Sequence, residues 1–278
     1  MYDCLVFSSG GSKGIAQLGS IHHLLRARPT ITEHCHHFVG SSAGAVIAAF
    51  LATSQTPKAA MRRHILPFKY EKNIKLSMLS SLFGIESSTS LDRFLEASVG
   101  DATFRSVFTE HGNMLSVIGS ELTTRSTVIF DPLRSPDMRI RDALRISCSV
   151  PLIFPAVERD GKLFVDGALT NSFPVDIARD VYGCKRILGV CIGHESRPVE
   201  ATDIKRNFHQ FMSMLVDTMV SNNVYRGHVG VDVCQLVTPP TVGGLTFDMD
   251  EETKWILWDC GVESMSTFLA TLRHEHSS

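Results

Sequence analysis

The stretch Val39-Gly40-Ser41-Ser42-Ala43-Gly44-Ala45 joins an apolar run to the helix-like sequence 43–52. Its Gly-x-Ser-x-Gly pattern, placed where a strand gives way to a helix, is typical of a sharp turn that lifts a serine hydroxyl onto the helix N-terminus. The two glycines relieve the crowding that Cβ atoms would cause in such a turn. We therefore predict that Ser42 is a nucleophile facing the positive end of a helix.

Strand-loop-helix units on either side of this turn predict a parallel sheet. The apolar run 4–8 ends in a glycine-rich loop, and apolar side chains recur at helical spacing over 15–25. A second strand over about 36–39 enters the serine turn. Two such units in succession predict a mainly parallel sheet covered by helices, and the fold class is α/β. The ligand crevice of such a sheet lies at the carboxyl ends of its strands, where Ser42 falls.

The rest of the chain continues this pattern of strands and helices. An Asp160-Gly161 pair inside 156–166 predicts a hairpin with a tight turn. Further strands are predicted over 114–122, 126–130, 186–192 and 231–237, and helices over 90–100, 139–147, 174–181, 207–220 and from 248 onward. We find no repeat and no linker, so a single domain over 1–278 is expected.

Composition and charge exclude several classes of protein. The chain is 44% hydrophobic and 20% charged, with a formal net charge of -2 and scattered Lys and Arg, which makes nucleic acid a poor partner. Seven cysteines at irregular spacing predict free thiols in a reducing compartment. No secretory signal or membrane-spanning run is apparent. We expect a cytoplasmic protein whose membrane contact is peripheral and transient.

A glycine loop after the first strand supplies candidate donors for an oxyanion. Gly10-Gly11 leaves backbone N–H groups unencumbered close to a helix N-terminus. Lys13 would hold the loop shape or add positive potential. A nucleotide-binding loop is the alternative, but it requires a Gly-Lys-Ser/Thr order, whereas this loop reads Gly-Gly-Ser-Lys-Gly.

Two candidates remain for the base that accepts the serine proton. In the order typical of an α/β-hydrolase triad the histidine follows the acid, and His194 is the best-placed histidine. The other candidate is Asp166, in an Asp-Gly pair that ends a predicted strand. Such a pair is commonly only a turn, but Asp160-Gly161 already provides one shortly before it.

The histidine-rich stretch His34-Cys35-His36-His37 has no spacing that fits a triad or an established metal motif. It could bind a transition metal, although a polar loop leading into a strand is the simpler interpretation. No metal and no cofactor are therefore expected.

Together these motifs resemble the patatin-like phospholipase family. The resemblance spans about residues 3–190 and rests on Ser9-Gly10-Gly11-Ser12-Lys13-Gly14, Gly40-Ser41-Ser42-Ala43-Gly44, the segment 147–155, and Asp166-Gly167-Ala168 followed by Asn171 and Pro174. It implies a three-layer α/β/α fold in which 191–278 completes the domain. It also implies that Ser42 and Asp166 form a Ser-Asp dyad without a histidine.

The resemblance assigns roles to the glycine loop as well. Gly10 and Gly11 would line the oxyanion hole, with Ser12, Lys13 and Gly14 supporting the loop. Ser9 stands where many members of the family carry a glycine, so the amides that form the hole are not fixed by the sequence.

The implied activity is hydrolysis of carboxylic esters, of the phospholipase A or lysophospholipase type, through an acyl-Ser42 intermediate. The substrate would be a phospholipid or another lipid ester. Two alternatives stay open, namely acyl transfer to an acceptor alcohol and a non-catalytic lipid-binding module. An apolar entrance would come from 61–83 and 208–220, with 76–83 as a candidate lid.

Overall fold

The computed structural model describes residues 2–32, 34–79, 83–193 and 230–275, together with 214, 215 and 218. Eight strands lie within these residues and form one sheet. The strands are β1 (Cys4–Phe7), β2 (His37–Ser41), β3 (Met114–Glu121), β4 (Ser126–Phe130), β5 (Val157–Arg159), β6 (Lys162–Asp166), β7 (Ile187–Ile192) and β8 (Val231–Leu236).

Helices connect and cover these strands in the described part of the chain. They are α1 (Gly14–Ala27), α2 (Ala43–Ala52), α3 (Pro57–Ala60), α4 (Thr89–Val99), α5 (Phe104–His111), α6 (Ile140–Ser147) and α7 (Glu251–Glu275). Single π-helical turns cover Met61–Ile65 and Ile177–Val181. Short 3₁₀ turns cover Gly11–Lys13, Pro29–Thr32, Leu76–Met78 and Gly167–Leu169. Among the described helices, none combines the length and the apolarity that crossing a bilayer demands.

The strand order is β5-β6-β3-β2-β1-β7-β8, with β4 also paired to β3. The pairs β1–β2, β2–β3, β1–β7 and β7–β8 are parallel, and the pairs that involve β4, β5 or β6 are antiparallel. The mainly parallel α/β sheet that the sequence predicts is therefore confirmed. The predicted hairpin is also confirmed, because Asp160 and Gly161 both have positive φ, at 52° and 71°, as a two-residue turn requires.

Strand β1 shows why the fold has three layers. Its side chains alternate between the two faces of the sheet. Leu5 and Phe7 join a core that contains residues of α1, α2 and α7. Cys4 and Val6 join a second core, which the segment 173–178 covers. Every residue of β1 is buried because helices lie over both faces, as is typical of a parallel strand.

Strand β3 changes its neighbour part of the way along its length. Its first half is parallel to β2, where Ser41 is the register partner of Ile118. The next residue, Gly119, is the register partner of Asp166 in the antiparallel strand β6. The last residues of β2 and of β6 are far apart in sequence. They therefore end side by side along β3, at the carboxyl end of β2.

Three expectations fall partly or wholly outside the described residues. The predicted Met-rich helix over 207–220 is described only at 214, 215 and 218, all of which are helical. His194 lies outside the described residues, and so do residues 80–82 of the candidate lid.

Candidate active site

Ser42 occupies a strained turn between β2 and α2. Its backbone angles are φ 54° and ψ -127°, a conformation that L-residues rarely adopt and that is typical of a nucleophile elbow. The Ser42 N–H donates to Oγ of Ser147 at 2.9 Å, and that hydroxyl donates to the Ile118 carbonyl at 2.6 Å. Ser147, at the end of α6, thus ties the turn to strand β3.

The two glycines of the serine motif are required by close backbone contacts. A Cβ atom on Gly40 would lie 2.3 Å from the carbonyl oxygen of Gly44, and one on Gly44 would lie 2.4 Å from that of Ser8. Both distances are far below van der Waals contact, so α2 approaches the ends of β1 and β2 as closely as the backbone allows. The glycine requirement predicted from the sequence is confirmed.

Asp166 lies at the end of β6, within hydrogen-bond distance of the serine. The Ser42 hydroxyl donates to Oδ2 of Asp166 at 2.7 Å. The other carboxylate oxygen, Oδ1, accepts the Ala168 N–H at 2.8 Å. The Asp166 N–H donates to the carbonyl of Ser149 at 2.9 Å, which fixes the backbone from the other side. Both carboxylate oxygens are therefore held, and Oδ2 faces Ser42.

Burial makes Asp166 a much stronger base than an aspartate in water. Only 3% of the residue is exposed. Burial raises the pKa of this carboxyl from 3.8 to about 7, against the opposing effect of the hydrogen bonds from Ser42 and Ala168. Within the described ranges no Lys, Arg or His forms an ion pair with it. A carboxylate whose pKa lies near neutral pH suits general-base chemistry.

The glycine loop presents two uncommitted backbone donors. The N–H groups of Ser9, Ser12 and Lys13 donate to the carbonyls of Ser172 (2.8 Å), Gly244 (2.8 Å) and Gly10 (3.2 Å), respectively. By contrast, the N–H groups of Gly10 and Gly11 have no acceptor among the described residues. The Ser9 amide is therefore already bonded to a backbone carbonyl, unlike the amides of Gly10 and Gly11.

A loop from the C-terminal part of the chain holds this glycine loop in shape. Gly11 has φ +54°, and a Cβ atom there would lie 2.0 Å from the carbonyl oxygen of Gly244. That carbonyl accepts the Ser12 N–H, and the Ser12 hydroxyl donates to the Gly243 carbonyl at 3.0 Å. Ser12 supports the loop through these bonds. The sequence does not reveal the partner loop, because 239–247 has no periodicity.

The N-termini of α1 and α2 converge beside the serine. A Cβ atom on Gly14 would lie 2.9 Å from Cβ of Ala43, so the two helices begin in contact. The Ala43 N–H, like those of Gly10 and Gly11, has no acceptor among the described residues. An amide directly after the nucleophile commonly contributes to an oxyanion hole. Sequence reasoning did not single out this amide, although its position directly after Ser42 in the motif is a usable signal.

Ser42 opens into an apolar cavity of about 130 Å³. The lining residues are Gly11, Ser12, Gly14, Ile15, Ser42, Ala43, Val46, Ile47, Ile65, Phe68, Tyr70, Leu91, Phe94, Cys148, Val150, Phe154, Phe247, Met249 and Lys254. Such walls suit a hydrocarbon chain.

Lys254 is the one charged residue among the described lining residues of this cavity. Its Nζ donates to the carbonyls of Leu66 at 3.3 Å and Phe68 at 2.8 Å. Burial lowers its pKa. Lys254 therefore holds the backbone beside the π-helical turn after α3, and α7 contributes to the shape of the cavity.

The structure brings most of the predicted site residues together. Ser42 and Asp166 are in contact, and the glycine loop lies at the same end of the sheet. The Lys13 side chain forms no ion pair in the described part of the chain, and its backbone N–H closes the 3₁₀ turn. Sequence reasoning did not assign roles to Ser147 and Ser149, although both lie in the segment 147–155 that contributed to the family resemblance.

Known proteins resemble this chain over most of its length. A probable lipid hydrolase (463L) of Invertebrate iridescent virus 6 is 28% identical over 191 residues, which are 64% of this chain and 63% of that protein. Triacylglycerol lipase 4 of Saccharomyces cerevisiae is 24% identical over 264 residues, which are 78% of this chain and 28% of the lipase. The chain thus spans less than two thirds of either relative.

A solved structure shares the fold of this chain, and a family model matches its sequence. The crystal structure of VipD from Legionella pneumophila superposes with a TM-score of 0.56 at 16% identity, covering 97% of this chain and 67% of VipD. The model of the patatin-like phospholipase family matches residues 5–179, which include the glycine loop, Ser42 and Asp166. Because this match covers well over half of the sequence, the chain belongs to the patatin-like phospholipase family.

Proposed function

We propose that this protein is a serine lipid acyl hydrolase, in which Ser42 is the nucleophile and Asp166 the general base. The observation that carries the proposal is the 2.7 Å hydrogen bond from the Ser42 hydroxyl to Oδ2 of Asp166. The carboxylate is buried, and its pKa is raised to about 7. A serine hydroxyl needs such an adjacent base before it can attack an ester.

In the first half-reaction the Ser42 oxygen attacks the ester carbonyl carbon while its proton passes to Asp166. The carbonyl electron pair moves onto oxygen, and the N–H groups of Gly10, Gly11 and Ala43 stabilise this oxyanion. The N-termini of α1 and α2 add positive potential at the same point. Collapse of the intermediate breaks the ester C–O bond, and the departing alcohol takes the proton from Asp166.

In the second half-reaction water resolves the acyl-Ser42 intermediate. Asp166, again a carboxylate, accepts a proton as the water oxygen attacks the acyl carbon. Collapse then breaks the bond to Oγ of Ser42 and returns the proton to it. The products are a carboxylic acid and the free enzyme, so the cycle needs no histidine.

The proposed substrate is a lipid ester, with phospholipid as the favoured class. The cavity beside Ser42 has apolar walls that suit an acyl chain. The printed names of the relatives, a probable lipid hydrolase and a triacylglycerol lipase, support a lipid substrate. The name of the matching family adds weight to phospholipid.

Contact with a lipid surface is proposed for exposed apolar side chains near the cavity. Phe83 and Leu152 are 55% and 39% exposed, and the backbone next to Phe83 bridges to Leu152. Leu152 lies between Val150 and Phe154, which both line the cavity. A short route therefore leads from this apolar surface to the wall of the acyl site. Transient, peripheral binding follows from such a surface.

The decisive experiment is mass spectrometry of a mixed lipid extract incubated with purified variants. We expect wild type to release fatty acid and lysolipid, and Ser42→Ala and Asp166→Asn to release neither. His194→Ala should retain most of the activity, because the dyad needs no histidine. Full activity in either dyad variant would refute the assignment, and loss of acylation in a folded His194→Ala variant would establish a triad.

A further inference from the structure

Three metal-ligating side chains meet at the amino end of the sheet, opposite the end that carries Ser42. Cys4 is the first residue of β1 and His37 the first of β2, and the two are register partners in the parallel pair. Register partners on neighbouring strands lie about 4.8 Å apart and point to the same face. The sheet itself therefore places this thiol and this imidazole side by side.

Cys184 completes the group from the loop that precedes β7. Gly183, at φ +70°, turns the chain after the π-helical turn, and the Cys184 N–H donates to the Ala178 carbonyl at 3.0 Å. Sγ of Cys184 then lies 3.7 Å from Nδ1 of His37. The three ligand atoms of Cys4, His37 and Cys184 all lie within 4.8 Å of one another.

A chain of hydrogen bonds orients the imidazole of His37. Its Nε2 lies 3.1 Å from Oγ of Ser116, whose own proton is donated to the Tyr182 hydroxyl at 3.0 Å. The Tyr182 hydroxyl donates in turn to Asp131, which is an acceptor only. Ser116 can therefore only accept from His37, so Nε2 is the donor to Ser116 and Nδ1 is the nitrogen that faces Cys184. Metal-binding histidines are commonly fixed in this way by a partner of the second nitrogen.

We propose that Cys4, His37 and Cys184 form a Zn²⁺ site that ties the loop before β7 to the first two strands. Zn–S bonds of about 2.3 Å and Zn–N bonds of about 2.0–2.1 Å at a tetrahedral angle place sulfur and nitrogen about 3.6 Å apart. The observed separation of Cys184 and His37 is 3.7 Å. The sulfur of Cys184 and Nδ1 of His37 thus lie almost where zinc would need them, and the sulfur of Cys4 is within 4.8 Å of both.

The chemistry of the three ligands favours zinc over harder ions. Two thiols and an imidazole are soft or borderline donors, and no carboxylate belongs to the group. Binding would release one proton from each thiol, so two thiolates balance the charge of the ion. Cys184 is half-buried, which gives the ion access from solvent, and a water molecule would take the fourth position.

A disulfide between Cys4 and Cys184 is the competing outcome. All seven cysteines, each within the described ranges, are free thiols here. A disulfide would join the two sulfurs and leave Nδ1 of His37 without the donor toward which the hydrogen-bond chain directs it. The orientation of His37 therefore favours a metal over a disulfide.

The test is metal binding to the full chain, purified under reducing conditions and stripped with a chelator. We expect one Zn²⁺ per chain in competition with a chromophoric chelator, and a rise in melting temperature on addition of Zn²⁺. Substituted Co²⁺ should show the intense sulfur-to-metal charge-transfer band of a thiolate-ligated site. Cys184→Ser and His37→Gln should each weaken binding about 100-fold or more.

Cys260→Ser is the matched control, because Cys260 is also a half-buried free thiol but lies on α7. It should bind Zn²⁺ as wild type does. The proposal is overturned if Cys184→Ser binds as tightly as wild type, or if peptide mapping finds a Cys4–Cys184 disulfide in protein kept reduced. The cobalt spectrum of wild type decides the matter even where a variant fails to fold, since absence of the thiolate band excludes the site.

Discussion

The two ends of the central sheet are built in opposite ways. At the carboxyl end the backbone is strained, and Ser42 and Gly11 both adopt φ near +54°. At the amino end Cys4 and His37 sit in regular strands and are brought together by register alone. The first end therefore presents backbone amides beside the Ser42 hydroxyl, whereas the second presents side chains alone. A site made of backbone leaves glycines in the sequence, and a site made of strand register leaves no such trace.

The largest effect is expected when a Cβ atom is added to the glycine loop at the carboxyl end of the sheet. Gly11→Ala places that atom 2.0 Å from the Gly244 carbonyl oxygen and cannot keep φ +54° without strain. The loop must move, and both donors of Gly10 and Gly11 move with it. We expect kcat/KM to fall about 10³-fold, since one such donor contributes about 10²–10³-fold. Steady-state hydrolysis of a short-chain ester measures the effect.

Gly112→Ala is the matched control for that variant. Gly112 also has positive φ, at +68°, but a Cβ atom there meets nothing within 4 Å. It should lose about 1 kcal/mol of stability and keep wild-type turnover. Equal losses of activity in the two variants would mean that strain, rather than the position of the loop, sets the effect.

The second prediction concerns the stability cost of the buried base. The pKa of Asp166 is raised from 3.8 to about 7, so this group favours the folded state at low pH and loses that contribution as pH rises through about 7. Asp166→Asn removes the titration. In urea unfolding, the stability of the variant relative to wild type should increase by about 3 kcal/mol between pH 5 and pH 8.

The same carboxyl predicts the pH dependence of catalysis, with the opposite sign. Asp166 acts as a base only when it is ionised, so kcat/KM of wild type should rise with pH and level off above about 7. For the unfolding experiment described before, the contradicting outcome is a difference in free energy of unfolding, between wild type and Asp166→Asn, that stays constant from pH 5 to pH 8. Such a result would mean that Asp166 is not buried as described.

The third prediction asks whether the carboxyl end is also the end that meets lipid. Phe83→Ser with Leu152→Ser removes exposed apolar area next to the cavity. We expect binding to phosphatidylcholine vesicles to weaken about 10-fold, because burial of apolar area drives such binding. Hydrolysis of a soluble ester should be unchanged. Leu133→Ser, at a site that is 69% exposed but lies elsewhere, is the control and should bind as wild type does.

The smallest effect is expected at the amino end. Cys184→Ser should change kcat/KM for a soluble ester by less than about twofold, because Cys184 lies at the end of the sheet away from Ser42 and the substitution leaves the glycine loop untouched. Its effect should appear in metal binding and melting temperature instead. A large loss of turnover in a folded Cys184→Ser variant would show that the two ends are coupled.

The carboxyl end was largely predictable from sequence, for a physical reason. Close backbone contacts forbid a Cβ atom at Gly40 and Gly44. The turn that holds Ser42 therefore requires glycine at both positions, which produces the Gly-x-Ser-x-Gly pattern. The alternation and spacing of apolar residues likewise predict the strands and helices that cover the sheet. Asp166 was harder, because its contact with Ser42 depends on the switch of β3 from one neighbour to the next. The family resemblance, not local pattern, selected it over His194.

Other parts of both ends could not be predicted. The contact of Gly244 with Ser12 joins distant loops, and neither carries a periodic signal. The group of Cys4, His37 and Cys184 draws one residue from each of three segments, so no fixed spacing announces it. The sequence drew attention to the stretch 34–37 as a whole, and only the strand register singles out His37 within it.

The contact of the glycine loop with Gly243 and Gly244 also bears on when the protein becomes active during its synthesis. Ser42 and Asp166 leave the ribosome well before Gly244 does. A nascent chain therefore holds its nucleophile and its base before it holds the carbonyl that shapes Gly11. The hydrolytic activity that we propose would then be gained late, once the segment around Gly244 has docked on the glycine loop.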